Sequence, residues 1–164
     1  MANVIRPIAG TVSSWTSCGF TATDFNNLGS TNFVAVMPTA AAIAQSTNLD
    51  SFIEVSFQLT NSATSTTASM YLSLYLFPLN QDGTTYGDGT ATGANLPGIS
   101  YWMTNANPKI GVGAAAFNGS FPRVFIGDLV DNFILGIAAA GGIILNAAAA
   151  ATVKYRTINT NANG

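Results

Sequence analysis

Residues 52–60 read Phe52-Ile53-Glu54-Val55-Ser56-Phe57-Gln58-Leu59-Thr60. Ile53, Val55, Phe57 and Leu59 alternate with Glu54, Ser56, Gln58 and Thr60. An alternation of period two, one row apolar and one polar, is the signature of a half-buried strand. The next apolar stretch, Met70 to Phe77, supplies a partner. Leu72, Leu74 and Leu76 share one face, and Tyr71, Ser73, Tyr75 and Phe77 share the other. Because that second face is also partly apolar, the segment reads as a central strand or one packed against a further neighbour. A polar Ser/Thr-rich connection, 61–69, joins the two.

Working outward, the same grammar repeats. Phe33 to Met37 is a short apolar run stopped by Pro38, and Ile99 to Met103 is another, closed by Asn105 to Pro108. Phe121 to Ile126 reads as an edge strand, since Pro122 cannot donate to a ladder. Phe133 to Ala138, Ile143 to Leu145 and Ala151 to Ile158 complete the set. In the last, Val153, Tyr155 and Thr157 alternate with Lys154, Arg156 and Ile158. Asn26-Asn27-Leu28-Gly29, Asp82-Gly83 and Asp88-Gly89 are turn signals, because Asn and Gly tolerate positive φ. Thr39 to Gln45 suits one short helical turn. The Ala run 147–151 is helical by propensity alone, but its surroundings favour a tightly packed sheet. Residues 1–25 read as an extended N-terminal arm or edge segment anchored by Trp15 and Phe20, residues 26–158 as the domain, and 159–164 as a loose tail. About eight short strands, with neither an amphipathic helix nor a repeated βαβ unit, predict an all-β fold: an antiparallel β-sandwich, jelly-roll-like, or a barrel.

Composition narrows the chemistry. The 164 residues are 48% hydrophobic but only 7% charged, where an average globular chain has ~25% charged residues. One Cys forbids an internal disulfide, and the absence of His removes Ser-His-Asp triads, Cys-His dyads and His-ligated metal sites. Five Lys+Arg against seven Asp+Glu leave a net charge of -2, too little positive charge for a duplex-DNA binder. The N-terminus has no basic region followed by an apolar run, so no secretory signal is expected. From Phe133 to Val153 the only polar residues are Asn146 and Thr152, which is long enough for a bilayer span. Gly141-Gly142 interrupts that run, Ala dominates it, and no basic cluster flanks one side. Two buried strands joined at the Gly pair account for the same letters.

Few groups remain for catalysis. Asp82 and Asp88 form the one carboxylate pair in an obvious loop, where a glycosidase pair or a calcium site is conceivable. The Gly after each points instead to turns. Asp128 and Asp131 suit a connection before a strand, and Glu54 the polar face of one. Cys18 lacks a partner to lower its pKa, and Gly111-Val112-Gly113 lacks the third glycine of a phosphate loop. No catalytic, metal or cofactor-binding residue is assigned. Aromatic side chains are the stronger candidates for contact with a partner, since Trp and Tyr are enriched at interfaces.

Leu72-Ser73-Leu74-Tyr75-Leu76 leading into Gln81-Asp82-Gly83-Thr84-Thr85-Tyr86-Gly87-Asp88-Gly89 resembles a segment of small jelly-roll-like virion proteins of tailed bacteriophages, the head decoration or cement proteins. Val153-Lys154-Tyr155-Arg156 resembles their basic-aromatic final strand, and Phe121-Pro122-Arg123 with Phe133 to Ile137 the segments before it. The likeness covers about half the chain; the Ala-rich final third and the long polar N-terminal region depart from it. It implies a non-enzymatic protein on the capsid surface that binds the major capsid protein, pairs with itself as a homotrimer, and touches neither nucleic acid nor membrane. Under that reading the interface candidates are Ile5, Arg6, Trp15, Tyr86, Trp102, Tyr155 and Arg156. Rival readings are a carbohydrate-binding module of a phage tail or fibre protein using Trp102, Tyr101 and Tyr86, a small membrane protein, and a hydrolase built on Asp82 and Asp88.

Overall fold

The computed structural model describes residues 11–26, 28, 34–45, 50–60, 71–80, 85, 102–108, 116–129, 131–140, 144–145 and 152–160. Within them run ten strands: β1 (Thr11–Val12), β2 (Thr16–Ser17), β3 (Ala35–Val36), β4 (Phe52–Thr60), β5 (Tyr71–Pro78), β6 (Trp102–Ala106), β7 (Ala116–Ser120), β8 (Val124–Phe125), β9 (Phe133–Ala140) and β10 (Thr152–Asn159). The alternating stretch at 52–60 is β4 throughout, with Ile53, Val55, Phe57 and Leu59 buried.

Two antiparallel sheets pack against each other around one core. In the first, β10 and β4 lie side by side at the centre; β1 and β2 flank β10, and β7 and β8 flank β4. In the second the order is β3-β9-β5-β6. Counting β1 with β2, and β7 with β8, as single edge positions leaves eight. The first position then pairs with the last, the second with the seventh, the third with the sixth, and the fourth with the fifth. Such nested antiparallel pairing is one long hairpin wrapped on itself, the jelly-roll arrangement.

Local chemistry explains the breaks in the edges. Val12 pairs with Ile158 and Thr16 with Tyr155, so three residues of the edge oppose two of β10. The resulting bulge at Ser13–Trp15 is held by Ser13 N–H donating to Thr157 O at 2.9 Å and Thr157 N–H donating to Ser13 Oγ at 2.8 Å. Pro122 sits in the gap between β7 and β8, at the sheet edge, where a missing N–H breaks no ladder bond. β6 continues through Asn105 and Ala106, which the sequence pattern assigns to a closing turn. Asn105 stays in the strand opposite Ser73, whose Oγ donates to Asn105 Oδ1 at 2.8 Å.

β9 occupies the first part of the apolar run and β10 begins at its end. Phe133 to Ala140 is thus a central strand, and among the described residues no helix is long and apolar enough to cross a membrane. Gln45 seals one end of the core: its Nε2 donates to the carbonyls of Asp50 (2.7 Å) and Ile126 (3.2 Å), and its Oε1 accepts from Asp50 N–H at 3.1 Å. The chain from 141 to 143, the Ala run 147–151, residues 1–10 and both Asp-Gly turns lie outside the described residues.

Candidate functional site: the outer face of the first sheet

On the face of β4 turned away from the core, each residue sits at a fixed cross-strand position. Arg156 is directly opposite Glu54 across β10 and β4. Continuing the β4–β8 register brings Arg123 beside Glu54 on the other flank. Arg123 donates from Nε (2.8 Å) and Nη2 (2.5 Å) to Glu54 Oε1, and Arg156 Nε donates to Glu54 Oε2 at 2.6 Å. One carboxylate therefore bridges two guanidiniums. The Arg123 hydrogen bonds lead in holding the Glu54 carboxyl below its ordinary pKa; burial opposes them in part, and Arg156 adds to the lowering.

The row extends at both ends into aromatic rings. The Arg156 guanidinium lies over Trp15, 4.7 Å from the ring centroid, and Arg123 lies over Phe52 at 5.9 Å. Both distances are in cation–π range. The bulge at Ser13–Trp15 delivers the indole to this face, a familiar use of bulges. The next row toward one end of the face is apolar. Val12, Ile158, Phe52 and Phe125 stand side by side by register, with Phe52 and Phe125 edge to face at 5.4 Å. Val12 and Phe125 are each 52% exposed and Trp15 is 42% exposed. Toward the other end the face turns polar, through Lys154, Ser56, Gln58, Asn118 and Thr152.

No match to this chain is found among known protein families, curated proteins or solved structures.

Of the interface candidates drawn from the sequence, Trp15 and Arg156 meet on this face. Tyr155 points the opposite way, half-buried and packed against the core. Trp102 opens β6 in the other sheet, with its side chain outside the described part, as are Ile5, Arg6, Tyr86 and Tyr101. Cys18 is fully buried, and burial pushes its thiol up to about 12, so it stays protonated and inert at neutral pH. Among the described residues no group of three His, Cys, Asp or Glu side chains lies close enough to hold a metal ion. Asp82 and Asp88 lie outside the described residues. Glu54 is the residue whose role the sequence pattern understates. Alternation marks it as solvent-facing, but only the β4–β10 and β4–β8 registers reveal its two arginines, which are 69 and 102 positions away in the chain.

Proposed function

We propose that the protein is a non-enzymatic virion structural protein that binds and stabilises a tailed-phage capsid as a homotrimeric cement or decoration protein. The observation that carries this reading is the clustering of exposed apolar groups. Of the four large hydrophobic side chains exposed among the described residues, Val12, Trp15 and Phe125 share the outer face of the first sheet; only Tyr71 lies elsewhere. Apolar side chains beside a clamped arginine and a tryptophan have the make-up of an interface core. The low charge supports the same reading: a chain only 7% charged has few charges to desolvate when its surface is covered. The eight-position jelly-roll order is an architecture that capsid proteins use, although lectins and cupins use it too.

Two measurements test the proposal. The mass of the purified chain in solution should be three times 16.9 kDa. Cryo-electron microscopy of particles made with and without the gene should differ by density on the outer head. Val12→Ser with Phe125→Ser should release the protein from particles while the isolated chain stays folded. Particles of unchanged density and unchanged resistance to heat would refute the reading.

A further inference from the structure

Beyond the apolar row, the outer face of the first sheet holds an open hollow of about 300 Å³ lined by Trp15, Ser56, Phe57, Gln58, Asn118, Thr152 and Lys154. Apart from the buried Phe57, it offers one indole wall, two carboxamides, two hydroxyls and one ammonium. We propose that this hollow is a binding site for an acidic sugar, a pyranose carrying a single carboxylate, of the hexuronic or sialic acid class.

Each group so offered has a counterpart on such a ligand. The flat, exposed indole accepts the C–H face of a pyranose ring. Its position is set beforehand, because the Arg156 guanidinium stacks on it and Glu54 holds that guanidinium. Gln58 and Asn118 each offer a donor pair and an acceptor, the pattern that neighbouring sugar hydroxyls require. Ser56 and Thr152 add hydroxyls that rotate to suit.

Charge selects the acidic member of the class. Arg123, Lys154 and Arg156, three of the five basic residues of the chain, lie on this face, where Glu54 is the carboxylate among the described residues. The face is thus locally positive in a chain whose net charge is -2. Both arginines are engaged by Glu54, which leaves Lys154 as the cation the hollow presents. One ammonium matches one carboxylate. A polyanion such as a nucleic acid needs several phosphate contacts to bind appreciably. The volume lies at the small end of ligand sites, so a single sugar residue should bind with a Kd of about 1 mM.

The test follows the Trp15 indole N–H by NMR as the full chain is titrated with the methyl glycosides of glucuronic, galacturonic and N-acetylneuraminic acids. Methyl glucoside and sodium acetate serve as controls. A saturable shift with at least one acidic glycoside, and at least tenfold weaker binding of both controls, is expected. Lys154→Gln should abolish the preference for acid over neutral sugar. Asn118→Ala, an exposed edge-strand change, should weaken binding about tenfold with the fold intact. Trp15→Ala, monitored at backbone amides of β4 and β10, should remove binding altogether. The proposal fails if no acidic glycoside gives a saturable shift, if acetate alone reproduces it, or if the neutral glycoside binds equally well. The two readings share Trp15 but are tested apart, since the capsid variants change Val12 and Phe125, which do not line the hollow.

Discussion

β4 and β5 are both central strands in antiparallel sheets, and their outer faces have opposite fates. Outward from β4 point Glu54, Ser56 and Gln58, which water reaches at least in part. Outward from β5 point Ser73, Tyr75 and Phe77, all of them buried. The neighbours follow suit. β10 shows Lys154 and Arg156, whereas β9 is buried at every residue from Phe133 to Ala139, the glycine included. A Cβ on Gly136 would meet Phe77 Cε2 at 2.6 Å and Val34 Cγ1 at 2.8 Å. At Gly136 the outer surface of the second sheet is therefore packed to the point where a methyl group does not fit, while Tyr71, at one end of β5, stays exposed.

The contrast is sharpest for two phenylalanines. Phe77→Ala should destabilise the protein by ~3–5 kcal/mol, the usual cost of emptying a buried ring site. Phe125→Ala, on the open face, should cost no more than ~1 kcal/mol. Denaturant midpoints with an unchanged m-value would measure both. Equal costs would break the comparison outright. A smaller effect is expected from Gly136→Ala, about 1–3 kcal/mol from overpacking. Combining it with Phe77→Leu should recover part of that loss, and a double-mutant cycle reads the coupling.

Glu54→Gln should likewise cost about 1 kcal/mol or less at neutral pH, because Arg123 is half exposed and solvent screens the pair. This change carries its own pH signature. Glu54 titrates below its ordinary 4.5 in the folded protein. Its contribution is complete above that value and disappears as pH falls through the folded pKa. Stability of the parent should therefore approach that of Glu54→Gln as the pH falls below the ordinary glutamate range and through the lowered folded pKa. A gap that persists unchanged at low pH would show that the carboxylate charge is not what binds the two arginines.

The two sheets also differ in how plainly the residues announce them. β4 alternates cleanly because one of its faces is wet, so its bounds are legible from Phe52 to Thr60. β5 also reads correctly, including the hint that its second face is covered: Tyr75 and Phe77 are large apolar groups that a solvated row would not carry. Strands with little apolar signal are harder. β1 and β2 consist of Thr, Val and Ser, and only their hydrogen bonds to β10 make them strands. β7, Ala116 to Ser120, has one large apolar residue, Phe117, and is defined by its pairing with β4. The candidate site was legible in parts. Trp15 and Arg156 stand out by residue type, while their meeting depends on a one-residue bulge and on pairing between the two ends of the described chain. No local pattern encodes either.

That pairing also sets the order in which the molecule can be made. β10 runs between β4 and the β1–β2 edge, so the first sheet lacks its centre until the last strand arrives. Contacts of such long sequence separation are slow to form, because chain entropy is lost before they stabilise anything. Until then β4 presents an unpaired apolar-backed edge, the kind of surface on which partly folded chains aggregate. The second sheet closes earlier, since β5 pairs with β6 and β9, all upstream of β10. Synthesis should thus pass through a stage with one finished sheet and one open one, and truncation before Thr152 should trap the protein there as an insoluble product.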